Sequence, residues 1–329
     1  MTSNIVNNAR ELPYSIGGLL YTPATNERAA DKIISGAFPC LRALALCLED
    51  AVLSSAVGAA EKTLTDTLGR LYGYAASGEH PELPLLFVRV RSPEHLTHIH
   101  DMLGSLSELL CGYILPKFDC TNAESYMERI NDINASAGGT VFTMPILESS
   151  RVADRSRRIS ELSEIKHITD AAKRYVLNIR VGGNDLCSLY GVRRTVDQTI
   201  YDIGVVRDIL TDIINAFSFD YVVSGPVWEY FGQPGDVWQS GLERELRLDM
   251  LNGFIGKTAV HPSQLPVIHA ALQPTRPDYD DAEAIINWSA ERAGVGKSID
   301  GRRMNEVKCH RRWAERIKIL GDIYGVRNN

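Results

Sequence analysis

Eight short runs of apolar residues recur along the chain, separated by longer stretches in which apolar positions return at helical spacing. The runs cover residues 18–24, 42–50, 84–91, 112–117, 139–148, 175–186, 219–225 and 254–260. None alternates cleanly between apolar and polar, which is the pattern of strands buried on both faces in a parallel sheet. Residues 122–137 read as a helix behind Asp119 and Thr121, either of which can cap it. Residues 197–217 read as another, with Ile200, Ile203, Val206, Ile209, Leu210, Ile213 and Ile214 on one face. Parallel strands need such crossovers. Eight strand–helix units in about 250 residues predict a (β/α)8 barrel, the TIM-barrel fold. An open doubly wound sheet would place a glycine-rich phosphate loop after the first strand, where this chain has Thr22-Pro23-Ala24-Thr25.

The barrel pattern ends near Leu272, which divides the chain into a barrel, residues 1–272, and a C-terminal helical extension, residues 273–329. The extension opens with a proline-rich hinge at 273–277. A charged helix at 278–292, a glycine break at 294–301 and a helix at 304–324 follow. The charged helix holds too few apolar positions for a core of its own, so it is expected to pack against a barrel. Gly294, Gly296 and Gly301 are expected to let the segment after them swing.

Composition changes little in this picture, since 44% hydrophobic and 23% charged residues is ordinary for a globular chain. Charge narrows the partners: 35 basic against 41 acidic residues leaves a net charge of −6 with no basic stripe, so nucleic acid is not expected. No apolar run reaches the ~18 residues of a membrane span. The first residues lack the apolar segment and cleavage site of a signal peptide. The six cysteines form no CxxC pair, which predicts a reducing cytoplasm with neither disulfides nor zinc.

The informative pattern is where ionisable residues fall. A TIM barrel works at the C-terminal ends of its strands. Six of the eight runs end there in polar groups: Glu49-Asp50, Arg89 to Arg91, Lys117, Glu148, Gly182-Gly183-Asn184-Asp185 and His261. For any single residue, the plainer account that strand ends meet water stays open. Carboxylates from Glu49 or Asp50, Glu148 and Asp185 on one rim make a hard-cation site suited to Mg²⁺. The absence of histidine and cysteine at the fifth and sixth strand ends disfavours zinc and iron. An arginine facing such a metal can share a developing negative oxygen, the logic of enolate chemistry. Lys117 suits either a Schiff-base aldolase or an ion pair with the acidic cluster. The loop at 224–241 reads either as a lid or as a surface segment whose aromatic residues are buried at an interface. His261 reads as a substrate contact or as a structural histidine at a helix start.

In these positions the chain resembles the citrate lyase beta-subunit and malyl-CoA lyase-like branch of the HpcH/HpaI aldolase superfamily. The family's LFVP is similar to Leu20-Tyr21-Thr22-Pro23, and its DLEDAV to residues 47–52. Its VRVN is similar to residues 88–91, and its LPK matches Leu115-Pro116-Lys117. Its metal-binding glutamate falls on Glu148, and its GxxDL aspartate on Asp185. Its long GFxGKxxIHPxQ signature falls on residues 253–264. The likeness extends to a subgroup of barrel-fold carbon–carbon lyases encoded near tellurite-resistance genes. The resemblance implies a Mg²⁺ ion on Glu148 and Asp185, substrate or cofactor contacts at Pro23, His261 and Gln264, and cleavage or formation of a C–C bond beside a carbonyl. It also implies a small organic acid or acyl-CoA as substrate, with coenzyme A carried as part of it, and a homo-oligomer, trimer or hexamer, whose C-terminal segment covers a neighbour's site.

Departures fall at Cys47 for the first aspartate of DLEDAV, Arg91 for the asparagine of VRVN, and Ala24 for a glycine. A basic stretch, residues 151–158, lies between Glu148 and Asp185. The family's lid aspartate has no direct counterpart; Glu306 is the nearest match and Asp300 the fallback. The expectation is therefore a cytoplasmic Mg²⁺-dependent carbon–carbon lyase. Arg89 and the metal would stabilise an enolate, and Glu49 and Asp50 would orient metal-bound water and Lys117. Glu306 or Asp300 would move the proton. A Schiff-base aldolase through Lys117 and a non-enzymatic barrel paralogue that binds a ligand or acts as a scaffold are the rivals.

Overall fold

The computed structural model describes residues 10–77, 83–289 and 294–328. The expected barrel start at residue 1 and the expected end of the charged helix at Arg292 lie outside the described residues. Eight parallel strands are present: β1 (Gly18–Pro23), β2 (Ala43–Cys47), β3 (Leu85–Arg89), β4 (Leu110–Leu115), β5 (Phe142–Leu147), β6 (Ile179–Val181), β7 (Val223–Ser224) and β8 (Lys257–Ala259). They pair in the order β7-β6-β5-β4-β3-β2-β1-β8. A parallel bridge between Gly225 and Lys257 joins the two ends of that order. Helices lie between the strands, as the apolar spacing predicts. Helix Gly204–Phe217 buries Val206, Ile209, Leu210, Ile213 and Phe217, the i, i+3, i+4, i+7 stripe of a helix laid against a sheet. Each such side chain stabilises the pairing by about 1.5–3 kcal/mol.

Inside the ring, Leu19, Ala45, Phe87, Met144, Ile146 and Leu177 form an apolar core, joined by Leu12 and Ile16 from just before β1. Strands six and seven are shorter than the apolar runs suggest. After Val181 the two glycines turn the chain into helix Gly183–Leu189, so Asp185 sits in a first helical turn rather than at a strand end.

The thin β7–β8 junction is braced from the side by buried charge. Lys257 Nζ lies 2.9 Å from Glu245 Oε1 and 2.6 Å from Asp249 Oδ2, and all three side chains are buried. Tyr201 donates to Asp249 at 2.8 Å, the Ile200 amide donates to Glu245 at 2.7 Å, and Arg194 Nε is 3.5 Å from Glu245. Burial raises the Asp249 pKa, and the Lys257 charge opposes that rise. The lysine of the long signature is thus a strut between β8 and helix Val237–Leu251.

The chain separates into two compact units, one ending at Val267 and the other beginning at Ile268. That division falls inside helix Gln264–Leu272 rather than after it. The second unit differs from its expectation in two ways. Helix Arg276–Ile286, capped by Thr275, packs against helix Val307–Tyr324 around Ala282, Ile285, Ala314 and Ile317, so the charged helix has an apolar partner within the extension. Between them lies a hairpin of β9 (Val295–Lys297) and β10 (Met304–Glu306), so the last helix starts at Val307 and not at Met304. Gly296 belongs to that hairpin, where a Cβ would stand 2.5 Å from the Trp288 ring. It is there for close packing and not as a hinge.

Candidate active site

A cavity of about 430 Å³ opens at the C-terminal ends of the strands. Pro23, Asp50, Arg89, Glu148 and Asp185 line it, together with Tyr21, Cys47, Arg180 and Thr258. Strand geometry explains the convergence. Cys47 pairs with Pro23 and with Arg89, which places the ends of β1, β2 and β3 side by side.

Arg89 is the hub. Its Nη2 contacts Glu49 Oε2, sits 2.9 Å from Asp50 Oδ2 and 3.7 Å from Glu148 Oε1, while its Nε is buried with no hydrogen-bond partner. Burial works against the Arg89 charge, but Tyr21, Glu148 and Glu49 outweigh it and hold its pKa above the usual arginine value. Lys117 Nζ reaches Glu49 at 2.5 Å and Asp50 at 3.0 Å. Burial opposes the Lys117 charge as well. The two carboxylates prevail, so its pKa is raised and the amine stays protonated.

The four carboxylates differ. Burial, with a side-chain hydrogen bond that Glu49 donates to Asp50, raises Glu49. Burial also acts upward on Asp50, yet its bonds to Glu49 and Lys117 and the Arg89 charge bring it to about 2. Glu148 is pushed up to about 8 by burial, with Arg89 opposing and Asp185 reinforcing the rise. Asp185 lines the same cavity and has no hydrogen bond or ion pair among the described residues.

Backbone geometry serves Glu148. Lys117 adopts a left-handed φ of 49°, rare for a residue with a side chain, and its amide donates to Glu148 Oε1 at 2.9 Å. On the other side, a Cβ at position 182 would stand 1.8 Å from Glu148 Oε2, so glycine is the residue that leaves this oxygen room. In the basic stretch after Glu148, Arg158 is structural. Arg158 is buried and donates to the carbonyls of Val152 and Ala153 while pairing with Asp212, which pins the short helix Ser150–Ala153. Arg91 likewise points away from the cavity role suggested by its position. It donates to the carbonyls of Leu48 at 2.9 Å and Val52 at 3.3 Å, bracing the turn that carries Glu49 and Asp50.

Gln264 and His261 are not among the residues that line the cavity. Gln264 is buried with both ends of its amide engaged. It donates to the carbonyls of Trp228 and Tyr230 and accepts from the amides of Val260 and His261. It therefore ties the loop after β7 to the end of β8. Trp228 is buried against Tyr230 and the Arg194 guanidinium within its own chain, so this stretch of the loop is anchored. His261 stacks on Phe231 at 4.5 Å and takes the Ser263 amide on Nδ1, as a histidine at a helix start does. Asp300 and Glu306 belong to the second unit. Asp300 accepts from Ser298 at 2.5 Å and from the Arg302 amide at 3.0 Å, and these bonds lower its pKa. Glu306 ends β10, and its amide donates to His310 Nδ1.

Tyr21 and Arg180 are cavity residues that the expectation did not contain. Arg180 left a signal, since it stands between Ile179 and Val181 in a run read as buried on both faces.

A parallel barrel with a cavity lined by ionisable residues at the C-terminal ends of its strands has the layout of a TIM-barrel enzyme. The chain belongs to a narrower group: the family of carbon–carbon bond lyases of the TIM-barrel fold, whose model matches residues 10–326. Solved structures resemble it in fold. CitE from Mycobacterium tuberculosis, in complex with magnesium, acetoacetate and coenzyme A, is 21% identical with a TM-score of 0.61, over 94% of this chain and 100% of that one. The citrate lyase beta subunit from the same organism, complexed with oxaloacetate and magnesium, is 22% identical with a TM-score of 0.53, over 80% and 100%. RipC from Yersinia pestis is 18% identical with a TM-score of 0.54, over 80% and 98%. No protein of curated function matches the chain in sequence. No helix among the described residues is long and apolar enough to cross a membrane.

Proposed function

We propose that the chain is a Mg²⁺-dependent lyase that breaks, or in reverse makes, a carbon–carbon bond beside a carbonyl in a small hydroxy acid or its coenzyme A thioester. The observation that carries this reading is Glu148 with Asp185 on one cavity. One carboxylate is pressed towards neutrality by burial and by the other; the second has no partner of its own. A divalent cation suits that arrangement, because it would compensate both. The space kept open beside Glu148 Oε2 by Gly182 suits it too. When bound, the cation would act as a Lewis acid towards a substrate oxygen. Similar folds hold magnesium with acetoacetate and coenzyme A, or with oxaloacetate, which supports the substrate class.

The chain's own groups have separable roles in this reading. Arg89 keeps its charge and an uncommitted Nε, so it can donate to an oxygen that gains negative charge. Glu49 and Asp50 hold Arg89 and Lys117 in place, which costs little reorganisation during reaction. Lys117 serves as a fixed ammonium. A Schiff base needs the neutral amine, and the raised pKa opposes it. Pro23 shapes the mouth of the cavity. The proton is moved by Glu306 in preference to Asp300, whose carboxylate is committed to its own turn. A homo-oligomeric, cytoplasmic enzyme completes the reading.

Calorimetric titration with Mg²⁺, followed by a binding screen of short hydroxy acids and acyl-CoA thioesters with the metal present, tests it. Micromolar to millimolar Mg²⁺ binding that is lost in Glu148→Gln is the expected result. Borohydride trapping of a substrate on Lys117 would favour the Schiff-base rival instead.

A further inference from the structure

Arg180 is 1% exposed, lies in β6 and borders the cavity. Its Nη2 donates to Thr258 Oγ1 at 2.8 Å, on β8 at the far side of β7. Its Nε and Nη1 are buried with no hydrogen-bond partner, and no carboxylate stands within ion-pair distance among the described residues. Other deeply buried cations of the barrel are paired: Arg158 with Asp212, Arg194 with Glu245, Lys257 with Glu245 and Asp249. The titratable group acting on Arg180 is Tyr21, whose hydroxyl is also its side-chain hydrogen-bond neighbour. Burial raises the pKa of that phenol, so it remains neutral at neutral pH and supplies no counter-charge. A guanidinium does not give up its proton in a protein. A buried cation without an anion is strongly unfavourable unless something else brings the opposite charge. Among the cavity's carboxylates, Asp50 and Glu148 lie around Arg89 and Asp185 beside Glu148, none of them with Arg180.

We propose that Arg180 is a specificity-determining residue that takes a carboxylate of the substrate at the inner wall of the cavity. The acid handled by this barrel is then a short di-acid, with one oxygen-bearing end at Glu148 and Asp185 and a second carboxylate on Arg180. This rests on the reading of Glu148 and Asp185 as the cation site. A cavity of about 430 Å³ holds a molecule of a few carbons in that pose. The guanidinium recognises the second carboxylate by charge-assisted hydrogen bonds, which a mono-acid cannot supply.

The test compares malate with lactate, which share the 2-hydroxy acid and differ by one carboxylate. Each enantiomer is titrated calorimetrically into the full-length protein, with and without saturating Mg²⁺. The expected result is at least tenfold tighter binding of malate by the wild type, and loss of that preference in Arg180→Met with lactate affinity within about threefold of wild type. Thr258→Asp supplies an internal carboxylate at hydrogen-bonding distance from Arg180 and should also remove the preference. The melting temperature of Arg180→Met should equal or exceed that of the wild type, because an unpaired buried charge is removed; a structural arginine gives the opposite sign. Equal binding of the two acids by the wild type overturns the proposal. So does a malate preference that survives Arg180→Met or Thr258→Asp, or no binding of either acid at millimolar concentration. If the preference depends on Arg180 while Mg²⁺ and Glu148→Gln change nothing, the subsite stands and the cation reading fails. If Mg²⁺ promotes binding of both acids equally, the cation reading stands and the subsite fails.

Discussion

Arg89 and Lys257 each stand between carboxylates in the same barrel, and their surroundings differ. Around Lys257 every member is sealed. Glu245, Asp249 and Arg194 are all buried, and a tyrosine hydroxyl and a backbone amide supply further donors to the carboxylates. Around Arg89 the cluster is open on one side. Lys117 and Asp50 are about half exposed, Glu148 is pushed up to about 8, and Asp50, Arg89 and Glu148 border the cavity. Arg180, on the same cavity, has no carboxylate at ion-pair distance among the described residues. A closed, balanced set of charges resists change, because removing one member strands another in low dielectric. A set with uncommitted donors and acceptors beside a cavity costs stability and leaves groups for a ligand to satisfy. Residue type does not separate the two clusters; what each is packed against does.

The largest effect is expected from Glu148→Gln or Asp185→Asn, each of which should abolish turnover and most Mg²⁺ binding with the melting temperature held. Calorimetry and an activity assay check this, and unchanged metal binding in both variants would remove them from the cation site. Next, Lys257→Met should cost about 3–5 kcal/mol in denaturant unfolding, since it leaves Asp249 buried without its cation and Glu245 with the more distant Arg194 alone. Lys117→Met, in the open cluster and half exposed, should change stability by no more than ~1 kcal/mol while lowering kcat. Equal stability losses in the two would erase the distinction drawn here. Arg89→Lys should lower kcat/KM by about 10²–10³, because a point charge replaces a planar fork of donors. Retention of wild-type kcat/KM would make Arg89 a structural residue.

The smallest effect concerns acid. Asp50 lies at about 2, below the ordinary aspartate value. A depressed acid adds stability above its unfolded pKa and loses it as pH falls through the folded one, so this contribution fades between about pH 4 and pH 2. Solvent screening keeps it under about 1 kcal/mol. Asp50→Asn should flatten that part of the stability profile; an unchanged profile would show that the ion pairs at Asp50 add nothing to folding.

Much of this was legible along the chain. Eight branched, apolar runs with helical spacing between them specify a parallel barrel, because strands buried on both faces and crossovers of that length have few other solutions. Polar residues at the ends of those runs likewise pointed to one rim, where Pro23, Asp50, Arg89, Glu148 and Asp185 do meet. Local pattern also identifies the helix at 123–136, within a residue at each end. It does not identify short elements whose existence depends on partners far away. β7 has two residues and is a strand because Ile179 and Arg180 pair with it. β9 and β10 are three residues each and are strands because they pair with one another.

Tertiary structure alone decided which charged residues are struts and which are free. Gln264, Arg91 and Lys257 all sit in or beside motifs that a sequence reading assigns to chemistry, yet each is engaged by hydrogen bonds or ion pairs that hold the rim together. Arg180 sits in a run that reads as core, yet it is a deeply buried cation with no carboxylate at ion-pair distance among the described residues. Periodicity records which face of an element is apolar, a property of neighbours in the chain. Whether a buried charge finds its opposite is a property of neighbours in space, and those come together only when the barrel closes.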